Sequence, residues 1–313
     1  MIGPSRAIGP AAQGPRKTRA AGVSIVSNSV LIALKLAAGA ITGSVAIITE
    51  AVHSSIDLMA SIIAYFSVRK ADEPADADHP YGHAKIENLS AAIEGMLILV
   101  GAGIIVFEST RRLVDPPEVH SIGIGIAVIG FSAVANLVVS TYLYRQARLS
   151  DSPALEGDAA HLRTDAVTSA GVLVALVLVE VTGLEILDPV TALVVAVAIV
   201  FAGVRILARS SRVLVDEVLP EDELSAVRET LAEYATPEVA GYHKLRARRA
   251  GSRRYVDLHV QFTEGTSLRR AHEITHKLQG AIALRLRDAD ILIHLEPEGP
   301  EGRGPERGAQ PDR

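Results

Sequence analysis

The chain has 313 residues, of which 49% are hydrophobic and only 21% carry a charge, and its mean hydropathy is +0.28. Soluble globular chains seldom combine these values, so the composition indicates a membrane protein. A net charge of -5 and a pI near 6.1 exclude the overall positive field that attracts nucleic acid. Because the sequence has no cysteine, any metal site must use His, Asp or Glu.

Long runs without charged residues predict six membrane-crossing helices, because a helix needs about 20 mainly apolar residues to cross the bilayer core. An even number of spans puts both termini on one side. The outer loops then hold only Arg111 and Arg112, whereas the inner segments hold the other basic flanking residues. Since Lys and Arg are retained on the cytoplasmic face, both termini are predicted to be cytoplasmic. The predicted spans lie near residues 20–42, 45–68, 87–109, 121–144, 166–179 and 189–204.

Composition also divides the chain into domains. Residues 1–18 and 298–313 are rich in Gly and Pro and are predicted to be disordered tails, and the first of them lacks the apolar segment of a signal peptide. Residues 19–212 are predicted to form the transmembrane domain. Residues 213–297 show the order helix, strand, strand, helix, strand, which predicts a small α+β domain with its helices on one face of a sheet.

Two of the predicted spans contain ionisable side chains in the same spacing. His53 and Asp57 lie in the second span, and His161 and Asp165 begin the fifth. A separation of four residues places both members of a pair on one helix face. Charged groups inside a bilayer are costly and therefore mark function. Two imidazole nitrogens and two carboxylate oxygens match the tetrahedral donor set of Zn²⁺, so we predict that the two faces share one metal ion.

Each pair has a simpler explanation, because an isolated His or Asp near a helix end usually snorkels or makes an interhelical hydrogen bond. The repetition of H-x-x-x-D favours the shared site. Small neighbours such as Ser54, Ser55 and Gly171 would let the helices approach closely. Lys35 has no partner by spacing and is predicted to snorkel to the outer interface. Glu94 is predicted to make an interhelical hydrogen bond, with a water path as the alternative.

The segment DEPADADHPYGHAKIEN between the second and third spans contains further candidate ligands. Asp76, His79 and His83 follow a D-x-x-H-x-x-x-H spacing. The prolines and glycine of this segment prevent a helix, so the three side chains would converge through a loop. The spacing alone leaves two interpretations open: the histidines are solvated loop residues, or the three residues form a second metal site. In either case the acidic residues of the segment attract cations to the cytoplasmic mouth.

Alternation along the predicted strands sorts the residues of the C-terminal domain onto two sheet faces. His259, His294 and Glu296 are predicted to share the open face, and His243 and His272 join them if a partner subunit covers it. The alternative is a group of surface histidines at a dimer contact. The opposite face is predicted to pack on the helices through Val256, Leu258, Val260 and Phe262.

These motifs occur in the order found in a known family. The runs GSVAIITEAVHSSIDLMAS, DHPYGHAKIENLSAAIEG and GDAAHLRTDAVTSAGVL resemble the cation diffusion facilitators, the zinc-type metal/proton antiporters, and the similarity extends over about residues 23–297. The resemblance implies a polytopic membrane protein with six transmembrane helices and a cytoplasmic ferredoxin-like, metallochaperone-like domain. It also implies a homodimer in the cytoplasmic membrane without a prosthetic group.

The resemblance assigns the candidate ligands to three sites. Relatives that also carry Cd²⁺ often have Asp in place of His53, so the expected ion is Zn²⁺, with Cd²⁺, Co²⁺ and Fe²⁺ as further candidates. Bacterial relatives often have Asp in place of Glu296. The intramembrane site is expected to contain His53, Asp57, His161 and Asp165, the loop site Asp76, His79 and His83, and the cytoplasmic cluster at the dimer interface His243, His259, His272, His294 and Glu296.

Metal ligands must be deprotonated, so a site of two His and two Asp exchanges protons for metal as it loads and empties. The sequence therefore predicts proton-coupled efflux of a divalent cation, with a second copy of the chain, the bilayer, metal ions and protons as partners and no nucleic acid. One rival is a membrane metalloenzyme, which needs an open coordination position and a general base. Another is a metal sensor that binds without transport. Four protein ligands leave no open coordination position, which favours transport of the metal ion over catalysis.

Overall fold

The computed structural model describes residues 14–42, 45–114, 123–184 and 186–299, and a few side chains within these ranges, including that of His53, lie outside the description. The chain divides into two compact units, Met1–Arg212 and Val213–Arg313. The predicted tails lie outside the described residues, except for 14–18 and 298–299. Residues 14–18 form the first turn of a helix, so the prediction of a tail is wrong there. Lys17 anchors this turn by ion pairs with Asp72 and Glu87 at 2.6 and 2.9 Å.

The first unit consists of long helices in the described part of the chain. All of them extend beyond the apolar runs that predict them. Five are long and apolar enough to cross a membrane, over Arg16–Ile41, Lys85–Val114, Ala127–Ser150, Pro153–Val179 and Leu187–Leu214. The helices are α1 (Gly14–Thr42), α2 (Val45–Ala71), α3 (Lys85–Val114), α4 (Gly123–Ser150), α5 (Pro153–Thr182) and α6 (Leu187–Leu214).

Many large apolar side chains of this unit point outward, while many small and polar ones are buried. Phe107, Phe131 and Phe201 are exposed, as expected of a surface that faces lipid. The buried set includes Ala20, Ala21, Ala60, Ala64, Ser24 and Ser61. Small residues allow close helix packing in an apolar solvent, where burial of large side chains gives no advantage. This distribution agrees with a helix bundle built for a membrane.

The helix ends follow recognisable local signals. Ser152 accepts a hydrogen bond from the backbone N–H of Leu155, and Pro153 occupies the first helical position of α5, where its missing N–H costs nothing. Gly183 ends α5 with a φ of 70°, a conformation that favours glycine. Because α5 begins at Pro153, the polar stretch before the apolar run is part of the same helix. His161 and Asp165 therefore lie well inside a continuous helix.

The second unit has the predicted order of elements. Two helices, α7 (Glu221–Glu233) and α8 (Leu268–Arg285), accompany three strands, β1 (Val239–Ala250), β2 (Arg253–Phe262) and β3 (Ala289–Pro297). The sheet order is β1-β2-β3, with β1 antiparallel and β3 parallel to the central β2. The alternation predicted for β2 is confirmed, because its core-facing side chains are almost fully buried. These are Val256, Leu258, Val260 and Phe262, which pack in one cluster with Ile274, Leu278 and Ile282 of α8.

Candidate metal centres

Helices α2 and α5 bring three of the predicted ligands together inside the first unit. The His161 Nε2 atom lies 3.2 Å from Asp57 Oδ1 and 3.9 Å from Asp165 Oδ2. Each of the three residues offers a ligand atom within 4.8 Å of the others. Asp57 and His161 are buried, and Asp165 is half-buried. The spacing of four residues places His161 and Asp165 on the face of α5 that meets Asp57, so the three donors form a common site.

The fourth predicted ligand of this site is His53, whose side chain lies outside the described residues. Its position in α2 is one helical turn before Asp57. Because residues four apart in a helix lie on the same face, the backbone of α2 puts His53 and Asp57 on one side of that helix. The ligation of a metal by His53 stays a prediction.

Other buried polar groups surround this site. Asp158, one helical turn before His161, is fully buried and accepts hydrogen bonds from the hydroxyls of Ser24 and Ser61 at 3.1 and 3.0 Å. Sequence reasoning missed Asp158, although its spacing to His161 puts it on the same side of the helix and Ser61 stands four residues after Asp57. The network therefore links α1, α2 and α5 next to the candidate metal ligands.

The structure contradicts the predictions for two ionisable residues near the site. Lys35 does not snorkel to an interface, because it is buried and its ammonium donates a hydrogen bond to the Ser54 hydroxyl at 2.7 Å. Glu94 makes no hydrogen bond to the described residues, contrary to the predicted interhelical bond. Its carboxylate instead lies 3.8 Å from Nδ1 of His161. Both differences involve partners on another helix, which spacing along one helix does not show.

The loop between α2 and α3 brings Asp76, His79 and His83 together. Asp76 Oδ1 accepts the backbone N–H of His79 at 2.7 Å and lies 3.1 Å from its ring nitrogen Nδ1, while Asp76 Oδ2 lies 3.2 Å from His83 Nε2. The backbone N–H of His79, and then its ring, hold the pKa of Asp76 below its ordinary value. His83 is buried, whereas the other two side chains are exposed. The three form a compact group of metal-ligand type.

The sheet of the second unit aligns three histidines in a row across its strands. His243 pairs with His259, which pairs with His294. Glu296 accepts hydrogen bonds from His259 Nδ1 at 2.6 Å and from His243 Nε2 at 2.7 Å, while His294 Nε2 is 3.8 Å away. The bonds from His259 and His243 lower the pKa of Glu296 from its ordinary value. This face therefore gathers His243, His259 and Glu296 closely and His294 at their edge.

The structure does not bring His272 to that group within one chain. His272 lies on the exposed side of α8, and its ring contacts that of His276, with centroids 4.4 Å apart. Together with Glu273 these residues form an H-E-x-x-H spacing, which sequence reasoning overlooked and which binds zinc in metallopeptidases. A catalytic zinc needs a third protein ligand, and neither histidine belongs to a group of three ligands among the described residues. Glu273 lies 3.6 Å from Arg270.

Comparison with known proteins accounts for nearly all of the described chain. Residues 21–215 match the family described as the cation efflux transmembrane domain, and residues 219–298 match the cation efflux protein, cytoplasmic domain. The chain belongs to the cation diffusion facilitator family. Its membership makes it a multi-pass membrane transporter for cations, not an enzyme, with a membrane domain followed by a small α/β cytoplasmic domain.

Individual relatives agree with the family over most of their length. An uncharacterized transporter of Synechocystis, sll1263, is 35% identical over 275 residues, which cover 88% of either chain. The cation-efflux pump FieF of Serratia proteamaculans is 32% identical, with 88% of this chain and 91% of the pump covered. A solved structure from a study of the candidate zinc transporter CzrB is 32% identical and covers 26% of this chain and 99% of its own, with a TM-score of 0.25.

Proposed function

We propose that the protein exports a divalent cation, Zn²⁺ above all, from the cytoplasm in exchange for protons through the site formed by Asp57, His161 and Asp165. The observation that carries the proposal is the convergence of these three ligands, from two helices, in the interior of a cation-efflux membrane domain. Two carboxylates and an imidazole brought out of water are costly unless a cation or protons neutralise them. A metal ion supplies that neutralisation.

The donor set supports Zn²⁺ as the transported ion. Zinc accepts imidazole nitrogen and carboxylate oxygen at about 2.0–2.2 Å in tetrahedral sites. With His53 as the fourth ligand, the site holds two nitrogens and two oxygens. Cd²⁺, Co²⁺ and Fe²⁺ also accept nitrogen and oxygen donors, and selection among them depends on geometry and availability. The cation-efflux pumps and the candidate zinc transporter among the similar proteins agree with this class of substrate.

Proton coupling follows from the chemistry of the ligands. Metal binds the ionised carboxylates and the neutral imidazole, so loading releases protons and protonation ejects the metal. We expect α2 and α5 to move together during transport because they share the ion. When the site opens in turn to each face of the membrane, it exchanges the metal ion for protons and needs no separate proton channel.

The remaining elements fit a homodimer in the cytoplasmic membrane. We propose that the chain crosses the membrane six times, with α2 as one of the spans. Both termini and the second unit, for which we propose a ferredoxin-like fold, then lie in the cytoplasm. The sheet face with His243, His259, His294 and Glu296 is proposed to bind regulatory Zn²⁺ at the dimer contact, where His272 of one chain can reach the cluster of the other. Metal that bridges two copies favours the packed dimer and so couples cytoplasmic Zn²⁺ to the membrane domain.

The test is metal and proton flux in proteoliposomes that contain the full chain. Zn²⁺ added outside vesicles with an acidic interior is expected to enter while the interior becomes more alkaline, read with one dye for each ion. Zinc entry without any change of internal pH would contradict antiport. Zinc binding without entry would favour the rival sensor, and neither binding nor entry would contradict both.

The sheet site gives a second expected result. Glu296→Ala removes the carboxylate that contacts both His243 and His259, so part of the Zn²⁺-dependent rise in melting temperature should be lost, because a ligand present at 100 times its Kd stabilises by about 2.7 kcal/mol. His294→Ala should lose less of the rise, since His294 lies 3.8 Å from Glu296 and is exposed. The measurement is thermal unfolding of the full chain in detergent, with Zn²⁺ and with chelator.

The matched control for this experiment is Glu264→Ala, which removes an exposed carboxylate of the same unit outside the cluster. It should leave the Zn²⁺-dependent rise unchanged. Equal rises for Glu296→Ala and the unaltered chain would exclude Glu296 as a metal ligand of the sheet face.

A further inference from the structure

The two ring nitrogens of His161 face different groups. Nε2 lies 3.2 Å from Asp57 and 3.9 Å from Asp165, on the side of the candidate metal ion. Nδ1 lies 3.8 Å from Oε2 of Glu94, which comes from α3. A neutral imidazole binds metal through one nitrogen and carries its proton on the other, so the partner of the second nitrogen decides which one is free. The position of Glu94 allows it to determine which ring nitrogen of His161 is free to bind metal.

Glu94 and His161 have complementary unsatisfied atoms. Both carboxylate oxygens of Glu94 and Nδ1 of His161 are buried without a hydrogen-bond partner among the described residues. Buried polar atoms nearly always have such a partner, because an unpaired one loses its hydrogen bonds to water without replacement. A ring nitrogen that can carry a proton and a carboxylate that can accept a hydrogen bond face each other here. Their separation of 3.8 Å exceeds a hydrogen bond, and such contacts are often long before the substrate binds.

Packing holds Glu94 against the face of α5 that bears His161. Gly157 lies one helical turn before His161, and a Cβ atom at Gly157 would approach Cγ of Glu94 to 3.1 Å. The missing side chain thus leaves the space that Glu94 fills. Glu94 itself is fully buried. Its carboxylate is therefore confined to the neighbourhood of the His161 ring.

We infer that Glu94 is a positioning residue of the transport site, which accepts the Nδ1–H of His161 and thereby keeps the Nε2 lone pair directed at the metal. This inference rests on the proposed function. Glu94 touches no metal in this role. It acts through the tautomer and orientation of a ligand, and the loss of such a partner typically weakens metal binding 10–100-fold.

The test compares Glu94→Leu, which nearly keeps the volume but cannot accept a hydrogen bond, with Glu94→Gln, whose amide oxygen can. Intramembrane binding is defined as the part of a Zn²⁺ titration of the full chain in detergent that Asp57→Ala abolishes. Glu94→Leu is expected to raise the Kd of that part by about 10–100-fold. Glu94→Gln is expected to bind almost as the unaltered chain does, and Co²⁺ at the site should show an altered absorption spectrum only in the leucine variant.

The controls separate positioning from packing. Ser90→Ala removes another buried polar atom without a hydrogen-bond partner among the described residues, one turn earlier in α3, and should leave the Kd unchanged. Glu94→Ala provides a second apolar variant, so the result does not depend on the folding of one chain. An unchanged Kd in the leucine and alanine variants, or an equal loss in the glutamine variant, would overturn the inference. If Asp57→Ala removes no binding at all, the proposed transport site fails instead.

Discussion

Zinc flux into proteoliposomes is expected to stop when either Asp57 or Asp165 is replaced by alanine. Each substitution removes one carboxylate from a group whose ligand atoms lie within 4.8 Å of one another. The remaining ligands then offer too few donors for a tetrahedral ion. A decrease of at least about 100-fold in the flux is expected, because loss of one buried ligand costs several kcal/mol and each 1.4 kcal/mol is tenfold. The measurement is Zn²⁺ entry, with the amount of folded protein matched.

The matched control is Glu108→Ala in α3. The side chain of Glu108 is 45% exposed and pairs with Arg112 at 3.2 Å, and ion pairs open to solvent contribute little. Its removal should leave flux within experimental error of the unaltered chain. Flux that persists in Asp57→Ala or Asp165→Ala would exclude these residues as transport ligands.

The replacement of Lys17 by alanine is expected to cause the largest loss of stability. Lys17 and Glu87 are both nearly inaccessible to solvent, with 5% and 2% of their side chains exposed, and their charged atoms are 2.9 Å apart. The Ser152 hydroxyl also donates a hydrogen bond to Glu87. Without the lysine, a carboxylate stays buried without its cation, which costs about 3–5 kcal/mol. Unfolding of the full chain in detergent, followed by heat or denaturant, measures the change.

Two further chains test the cause of this loss. Lys70→Ala removes a lysine whose ion pair with Glu73 is exposed, and it should leave the stability almost unchanged, because solvent screens such a pair. The double change of Lys17→Met and Glu87→Leu should recover much of the stability, because apolar residues of similar volume can replace a buried ion pair. If Lys17→Ala and Lys70→Ala destabilise equally, the buried pair does not anchor α1.

The sequence predicts the part of the site that depends on the spacing of residues within a single helix. The H-x-x-x-D spacing places His161 and Asp165 on one face, and the cost of charge inside a span marks that face as functional. Glu94 has no spacing partner in its own helix because His161, its neighbour, lies on α5. Lys35 likewise finds Ser54 on another helix. Contacts between helices depend on packing, which one sequence does not disclose.

In the second unit too, the sequence predicts features of a single strand but not the contacts between elements. Alternation along β2 predicts its buried face because successive side chains in a strand point in opposite directions. The alignment of His243, His259 and His294 depends on the register of three strands, which includes a shift after His243. A single strand does not reveal this register. The grouping of His272 with these residues depends on a partner subunit, whereas in one chain its ring contacts that of His276.

The most direct test of the transport site is the location of bound zinc. A Zn²⁺-loaded structure of the full chain, with anomalous scattering recorded at the zinc absorption edge, would identify each bound ion. The account predicts a peak about 2.0–2.2 Å from ligand atoms of Asp57, His161 and Asp165. Peaks confined to the loop and sheet groups, from protein that transports Zn²⁺ under the same conditions, would contradict it.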